Sequence, residues 1–397
     1  MGNFITSIKV NHIFHLENFC IPISENEKKH LIITGKNGSG KTILLNAIVE
    51  HLSKVCNDKM LSFLDFKKYL ESDQAWLQQA ETTGDSKSIA SGQNNVEYYK
   101  NRIEEFYGKV ELSFHDIYSI PKDFLSQDFI IAYYADERKS LFVEPKNPVK
   151  MKTDLKHNKV DQFLNFMVDC KVQEALARNE GKTEDADYIR QWFVGFRNIL
   201  RQIFDDTTLE LDFNYKDYSF LIQTRGKSFK FTELSAGYSA ALDIVADLIL
   251  KMQSQNNVVR AYEKEGIVLI DEIETHLHLE LQRVILPILT TIFPNIQFVV
   301  TTHSPFILNS LENAVAFDLE HREPIEDLTD YSYEALAEGY FGVRTDSSEI
   351  QMRLQRMEEL IRSDQLSISD KSELEICRIL IRFRKQLLLL LKLNIMI

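Results

Sequence analysis

Gly35-Lys36-Asn37-Gly38-Ser39-Gly40-Lys41-Thr42 is the stretch that decides how this chain folds. It fits G-x-x-x-x-G-K-[ST] at every fixed position, a pattern that carries meaning only between a buried strand and a helix. Both flanks are present. Leu31-Ile32-Ile33 is an unbroken apolar run of the buried-strand kind, and from Thr42 the residues Leu44, Leu45, Ile48, Val49, Leu52 and Val55 recur at helical spacing. The glycines let backbone N–H groups turn inward around phosphates, and Lys41 reaches the β and γ oxygens. The Thr42 hydroxyl stands where it can ligate Mg²⁺ at a helix N-terminus that favours anions. Gly35, Asn37, Gly38, Ser39, Gly40, Lys41 and Thr42 are therefore the expected cradle for a nucleoside triphosphate.

A second apolar strand, Ile267-Val268-Leu269-Ile270, runs straight into Asp271-Glu272. It delivers two carboxylates to its C-terminal end, the edge where open α/β sheets bind ligands. Asp271 is expected to hold Mg²⁺ through its water shell, and Glu272 to accept a proton from the attacking water. Alone, an Asp-Glu pair after a strand reads as a helix start. The phosphate loop earlier in the chain tips the balance toward chemistry.

Composition narrows the class. The 397 residues exceed one ordinary domain, so two domains, or one with a large insertion, are expected. With 46 Lys and Arg against 59 Asp and Glu, the net charge of −13 speaks against a mainly basic nucleic-acid coat, and 44% apolar residues supply a core. Cys20, Cys56, Cys170 and Cys377 lie far apart with no metal or disulfide spacing, which points to the cytoplasm. No run reaches the ~18 apolar residues of a membrane span, so no membrane partner is expected.

Leu234-Ser235-Ala236-Gly237-Tyr238 lies between a strand and a helix. Here the sequence resembles the ABC-type ATPase superfamily, whose signature peptide has the form L-S-G-G-Q, with Ala236 and Tyr238 in place of a glycine and the glutamine. His303, after the apolar strand Ile296 to Thr301, looks like the switch histidine of these ATPases. The resemblance implies ATP and Mg²⁺, with His303 at the γ-phosphate. It also implies that Ser235 and Gly237 of one protomer close on the nucleotide held by Lys41 of another, so that a homodimer or higher oligomer forms through an ATP sandwich. Asp271-Glu272-Ile273-Glu274-Thr275-His276-Leu277-His278 is similar to the D-E-P-E-x-x-L-H stretch of RecF-like and OLD-like proteins. His276 and His278 read as a dimer-contact loop or as metal ligands, and their spacing is not that of a zinc helix. The glutamine that joins the two lobes in this superfamily stays unassigned, with neither Gln93 nor Gln127 standing out. Arg138, in the polar cluster Ala135 to Arg138, reads equally as a phosphate contact or as solvated charge.

The expected fold is α/β, a P-loop NTPase of ABC-ATPase type. A mostly parallel central sheet is joined by an N-terminal antiparallel β-subdomain and an inserted helical lobe. Five segments are expected: 1–56 with the phosphate loop, 57–150 completing that lobe, 151–233 as the helical and β insertion, 234–320 with the remaining motifs, and 321–397 as a helical extension. Strands are expected at Val110 to Phe114 and Phe129 to Tyr134. Helices are expected from about Lys159 to Arg178, Glu184 to Phe204 and Leu279 to Phe293. A surface loop is expected at Thr82 to Asn95, rich in Ser, Thr, Gly and Asn. The Leu-rich end, Leu387 to Leu391 with Leu393, reads as an amphipathic helix or a truncated terminus.

Lys41 and Leu234 stand farther apart than in transporter subunits, and no sustained heptad run of the SMC kind intervenes. A compact class remains. Phe163 through Leu250, with Tyr331 to Leu336 and Gly339 to Val343, resembles the ATPase components of bacterial phage-defence systems such as PARIS and Septu. The resemblance implies an ATPase that gates a separate nuclease or toxin effector. The roughly 80 residues after Phe317 leave little room for a nuclease of its own by domain-size priors. The alternatives are a RecF-type repair or recombination ATPase binding DNA, or a scaffold that binds ATP without hydrolysing it. A DNA groove would draw on the basic stretches Lys146 to Lys159 and Arg378 to Lys385.

Overall fold

The structure is a computed structural model that describes residues 2–56, 63, 65–136, 160–253, 264–325, 333–336, 352 and 356. The chain divides into two units, 1–331 and 332–397, and the description that follows is of the first.

Strands β1 (Ile5–Ile13) and β2 (Leu16–Pro22) form a hairpin, and β3 (His30–Thr34) leads into the loop ahead of helix α1 (Lys41–Val55). Two long helices follow, α2 (Phe66–Thr83) and α3 (Ser86–Tyr107), then β4 (Val110–Phe114), short α4 (Ile120–Leu125) and β5 (Phe129–Tyr134). Helices α5 (Val160–Asn179) and α6 (Thr183–Phe204) precede strands β6 (Glu210–Asn214), β7 (Ser219–Thr224) and β8 (Lys227–Lys230). Helix α7 (Ala236–Met252), β9 (Glu265–Ile270), α8 (Leu279–Ile292), β10 (Ile296–Thr301), one-turn α9 (Pro305–Leu308), β11 (Ala314–Asp318) and β12 (Glu323–Ile325) complete the unit.

The central sheet runs β12-β11-β3-β10-β9-β5 and is parallel except for β12. Its middle strands are buried end to end, which is why they read as continuous apolar runs rather than alternating ones. Separate antiparallel sheets are formed by β2-β1-β4 and by β6-β7-β8. The fold is that of a P-loop NTPase of the ABC-ATPase type, with the antiparallel N-terminal sheet in place.

Buried Gln297 ties two of these sheets together. Its Oε1 accepts from Ile5 N at 2.7 Å, and its Nε2 donates to Ile5 O at 2.9 Å and to Lys29 O at 2.8 Å. Next to it, His30 Nδ1 accepts from Phe298 N at 3.0 Å, and burial pushes the His30 pKa down to about 4. In the inserted helices the apolar side chains Phe163, Phe166, Ile189, Trp192, Phe196 and Leu200 are core. Trp192 stacks on Phe196 and meets Phe166 edge-on, and all three are buried.

The expected surface loop at Thr82 to Asn95 is not a loop. Only Gly84 and Asp85 turn there, between α2 and α3. Asp85 caps α3 by accepting from Lys87 N and Ser88 Oγ, so the polar residues that read as loop are a helix cap and an exposed helical face. The stretch Lys146 to Lys159 and the residues from Ser369 onward, with their basic and Leu-rich runs, lie outside the described residues.

Candidate functional site

Parallel register brings the chemistry to one edge. Thr34 pairs with Asp318, Ile33 with Thr301, Val300 with Ile270, and Ile270 with Tyr134, so the C-terminal ends of five strands are aligned. Backbone pairing continues past the strands, with Thr302 N donating to Ile33 O and Asp271 N to Tyr134 O. The phosphate loop, the Asp-Glu pair and the histidine thus leave neighbouring strands at the same level.

Gly40 caps α1 in the left-handed conformation, at φ 97° and ψ 13°. A Cβ at this position would lie 3.0 Å from Leu16 Cδ1, so only glycine suits both the turn and the contact. The tip of the β1–β2 hairpin leans on the loop here. His15 Nε2 lies 3.1 Å from Ser39 O, and Phe14, at φ 53°, is 75% exposed beside it. The Lys41 ammonium is buried and donates to Gly35 O at 2.9 Å and Lys36 O at 3.1 Å. Burial lowers its pKa, while Glu272, Glu274, Asp271 and Asp318 hold it up. Asn37 and Gly38 are exposed at the loop's apex, and Thr42 is exposed in the first turn of α1.

Two buried hydroxyls stand at this loop, Thr34 Oγ1 just before it and Ser39 Oγ within it, and neither has a hydrogen-bond partner among the described residues. Together with a buried lysine at a helix N-terminus, they fit the needs of a polyphosphate. The donors expected for Mg²⁺ would be oxygens of one hydroxyl and one carboxylate, Thr42 and Asp271. That suits an ion that keeps most of its shell as water and phosphate.

Asp271 is fully buried, and Thr301 Oγ1 donates to its Oδ1. Glu272 follows at φ 41°, its N–H donating to the same Thr301 hydroxyl at 2.8 Å. Glu274 accepts from Thr302 Oγ1 at 2.8 Å and from His303 N, and burial raises its pKa. His303 is half-buried; burial and then Lys41 lower its pKa, opposed by Glu272 and Asp271. Lys41 and His303, named from the sequence, therefore both feel the charges of Asp271 and Glu272. Thr301, Thr302 and Glu274 were not identified from the sequence as site residues. Only the register of β9 against β10 shows what they join.

The signature segment is placed elsewhere on the chain. Ser235 is the N-cap of α7, exposed, and its hydroxyl makes no capping hydrogen bond. Gly237 faces His276, whose carbonyl oxygen would lie 3.0 Å from a Cβ added there. Tyr238 stacks on Phe204 at 4.2 Å and meets the His278 ring edge-on at 5.2 Å. Among the described residues, no hydrogen bond or ion pair joins residues 234–238 to residues 35–42. His278 accepts from Leu281 N through Nδ1 and so caps α8, and no group of three or more metal-ligating side chains occurs among the described residues. Gln93 is exposed on α3, and Gln127 lies in the turn before β5, at the opposite edge of the sheet. Ala135 and Asp136 follow β5, whereas Glu137 and Arg138 lie outside the described residues.

Fold and loop together are those of a P-loop nucleotide-binding domain. Residues 177–309 match the family described as "AAA domain, putative AbiEii toxin, Type IV TA system". It is similar to the "Septu protein PtuA" of Bacillus mycoides, with 26% identity over 330 residues, covering 81% of this chain and 41% of that one. It is also similar to the "Retron Vc95 probable ATPase" of Vibrio cholerae, with 28% identity over 230 residues, 54% of this chain and 42% of that one. The chain thus spans about two fifths of the length of these two relatives. Among solved structures, the SMC head domain from Thermotoga maritima matches over 79% of this chain and 94% of its own, at 11% identity and a TM-score of 0.36. No helix among the described residues is long and apolar enough to cross a membrane.

Proposed function

We propose that this protein is an Mg²⁺-dependent ATPase that dimerises around ATP and gates a separate effector, a nuclease or toxin, in defence against phage. The observation that carries the proposal is the parallel register of β3, β10 and β9, from whose aligned C-terminal ends the loop of Lys41, the Asp271-Glu272 pair and His303 leave at one sheet edge. Relatives named as Septu and retron proteins support the defence setting.

Each residue's part follows from its position. Loop N–H groups, Ser39 Oγ and the Lys41 ammonium hold the β and γ phosphates, and Lys41 exchanges its contacts with Gly35 O and Lys36 O for phosphate oxygens. Phe14 and His15, on the hairpin against the loop, offer exposed ring surface to a base. Thr42 and Asp271 would hold Mg²⁺, which when bound neutralises charge on the transferring phosphoryl group. Glu272 accepts the proton of the attacking water, and a neutral His303 donates a hydrogen bond toward the γ-phosphate.

Gly237 packs on the 276–278 loop, and no hydrogen bond or ion pair among the described residues joins residues 234–238 to the phosphate loop, so Ser235 and Gly237 would complete the site of a second copy. A nucleotide that touches both copies favours the closed pair, and hydrolysis removes that preference. Mixing Lys41→Ala with Ser235→Arg tests this arrangement. Each variant alone is expected to be inactive, and the mixture to regain turnover, because one hybrid site keeps both Lys41 and Ser235. A mixture as inactive as its components, from variants that still associate, would refute action in trans.

A further inference from the structure

We infer that Thr301 is a positioning residue that sets the metal-holding and proton-accepting carboxylates relative to each other through one side-chain hydroxyl. The inference rests on the ATPase reading of the site. Thr301 ends β10 and is fully buried, and its Oγ1 accepts the Glu272 N–H at 2.8 Å while donating to Asp271 Oδ1 at 2.5 Å. A threonine hydroxyl has one proton and two lone pairs, so it can make both bonds at once. Thr301 O also accepts from Ile273 N at 3.2 Å, so the strand end grips the loop on both sides of Glu272.

Glu272 is the place where such a grip matters. Its φ of 41° is a conformation that side-chain-bearing residues rarely adopt, and it sets the direction in which the carboxylate leaves the strand. The bond to its own N–H holds that backbone turn, and the bond to Asp271 fixes which carboxylate oxygen stays turned toward the strand. Thr302 makes neither bond. Its hydroxyl serves Glu274 and Ser304 N instead, so the two adjacent threonines have separate partners.

The test compares Thr301→Val, which keeps the shape and loses the hydroxyl, with Thr301→Ser, which keeps the hydroxyl. Phosphate release is measured, together with the affinity for a fluorescent ATP analogue in EDTA and in Mg²⁺. Thr301→Val is expected to lose about 10–100-fold in turnover, as removal of an outer-shell partner does. Its affinity in EDTA should match wild type, and the gain in affinity on adding Mg²⁺ should shrink. Thr301→Ser should restore both readouts. Active wild type with an equally active Thr301→Val would overturn the inference and leave the ATPase reading standing. Inactive wild type would refute the ATPase reading, and the Mg²⁺ gain would still decide the Asp271 half: an undiminished gain in Thr301→Val overturns it. If the valine variant does not fold, Thr301→Cys replaces it; cysteine and serine variants of equal turnover would overturn the inference.

Discussion

Replacing Gly40 by alanine perturbs the phosphate loop in two separable ways. The left-handed turn at φ 97° costs an L residue about 1–2 kcal/mol. The new methyl would also lie 3.0 Å from Leu16 Cδ1, and Leu16 is 1% exposed within the core of the β1–β2 hairpin. Leu16 cannot swing into solvent, and forcing it aside adds about 1 kcal/mol or more. Gly38→Ala is the matched control, since φ at Gly38 is 83° and nothing lies within 4 Å of a Cβ there. It carries the strain without the contact. Thermal melts without nucleotide should therefore rank wild type, then Gly38→Ala, then Gly40→Ala, with Gly40→Ala on the order of 5 °C below wild type. Titration with ATP should show at least about tenfold weaker binding for Gly40→Ala, equivalent to about 1.4 kcal/mol. Equal melting of the two variants would refute the packing of the hairpin on the loop.

Gln297→Leu should be among the more destabilising single changes, because it takes the buried partner from Ile5 N–H and Ile5 C=O and a part-buried one from Lys29 C=O. At about 1–3 kcal/mol per buried unsatisfied group, a loss of about 3 kcal/mol or more is expected in urea melts. Burial also pushes His51 down to about 4 between the rings of Phe106 and Tyr107. Between its folded pKa near 4 and the ordinary value near 6.5, the unfolded chain binds the extra proton, so stability is complete above pH 6.5 and falls as the pH drops toward 4. The fall amounts to about 3 kcal/mol for this histidine. His51→Leu should flatten the stability profile over that window, and an unchanged slope would show that His51 does not titrate as its burial implies.

How much of this the sequence discloses depends on whether a residue's role is local. A phosphate loop is one continuous peptide between a strand and a helix, so Gly35 to Thr42 and the flanking elements are legible. So are Asp271 and Glu272, because an apolar strand ends in them. Thr301 is different. Its hydroxyl acquires a role only when β10 lies beside β9 in the observed register, and the sequence holds no trace of that pairing. The loop expected at Thr82 to Asn95 fails for another reason. The buried residues of α3 are only Gly92, Val96, Phe106 and Tyr107, too sparse a stripe to outweigh its Ser, Asn and Gly content. The signature peptide was legible as a helix start, while its neighbours, His276 to His278 and Phe204, come from distant parts of the chain.

Phosphate release from ATP and Mg²⁺, measured on wild type and on Glu272→Gln whose ATP affinity has been checked in parallel, bears most directly on whether this edge of the sheet hydrolyses a triphosphate. The account predicts steady turnover by wild type, and a Glu272→Gln variant that binds ATP normally yet turns over at least about a hundredfold more slowly, as loss of a general base does. Wild type that binds ATP without releasing phosphate, or a Glu272→Gln variant as fast as wild type, would contradict it.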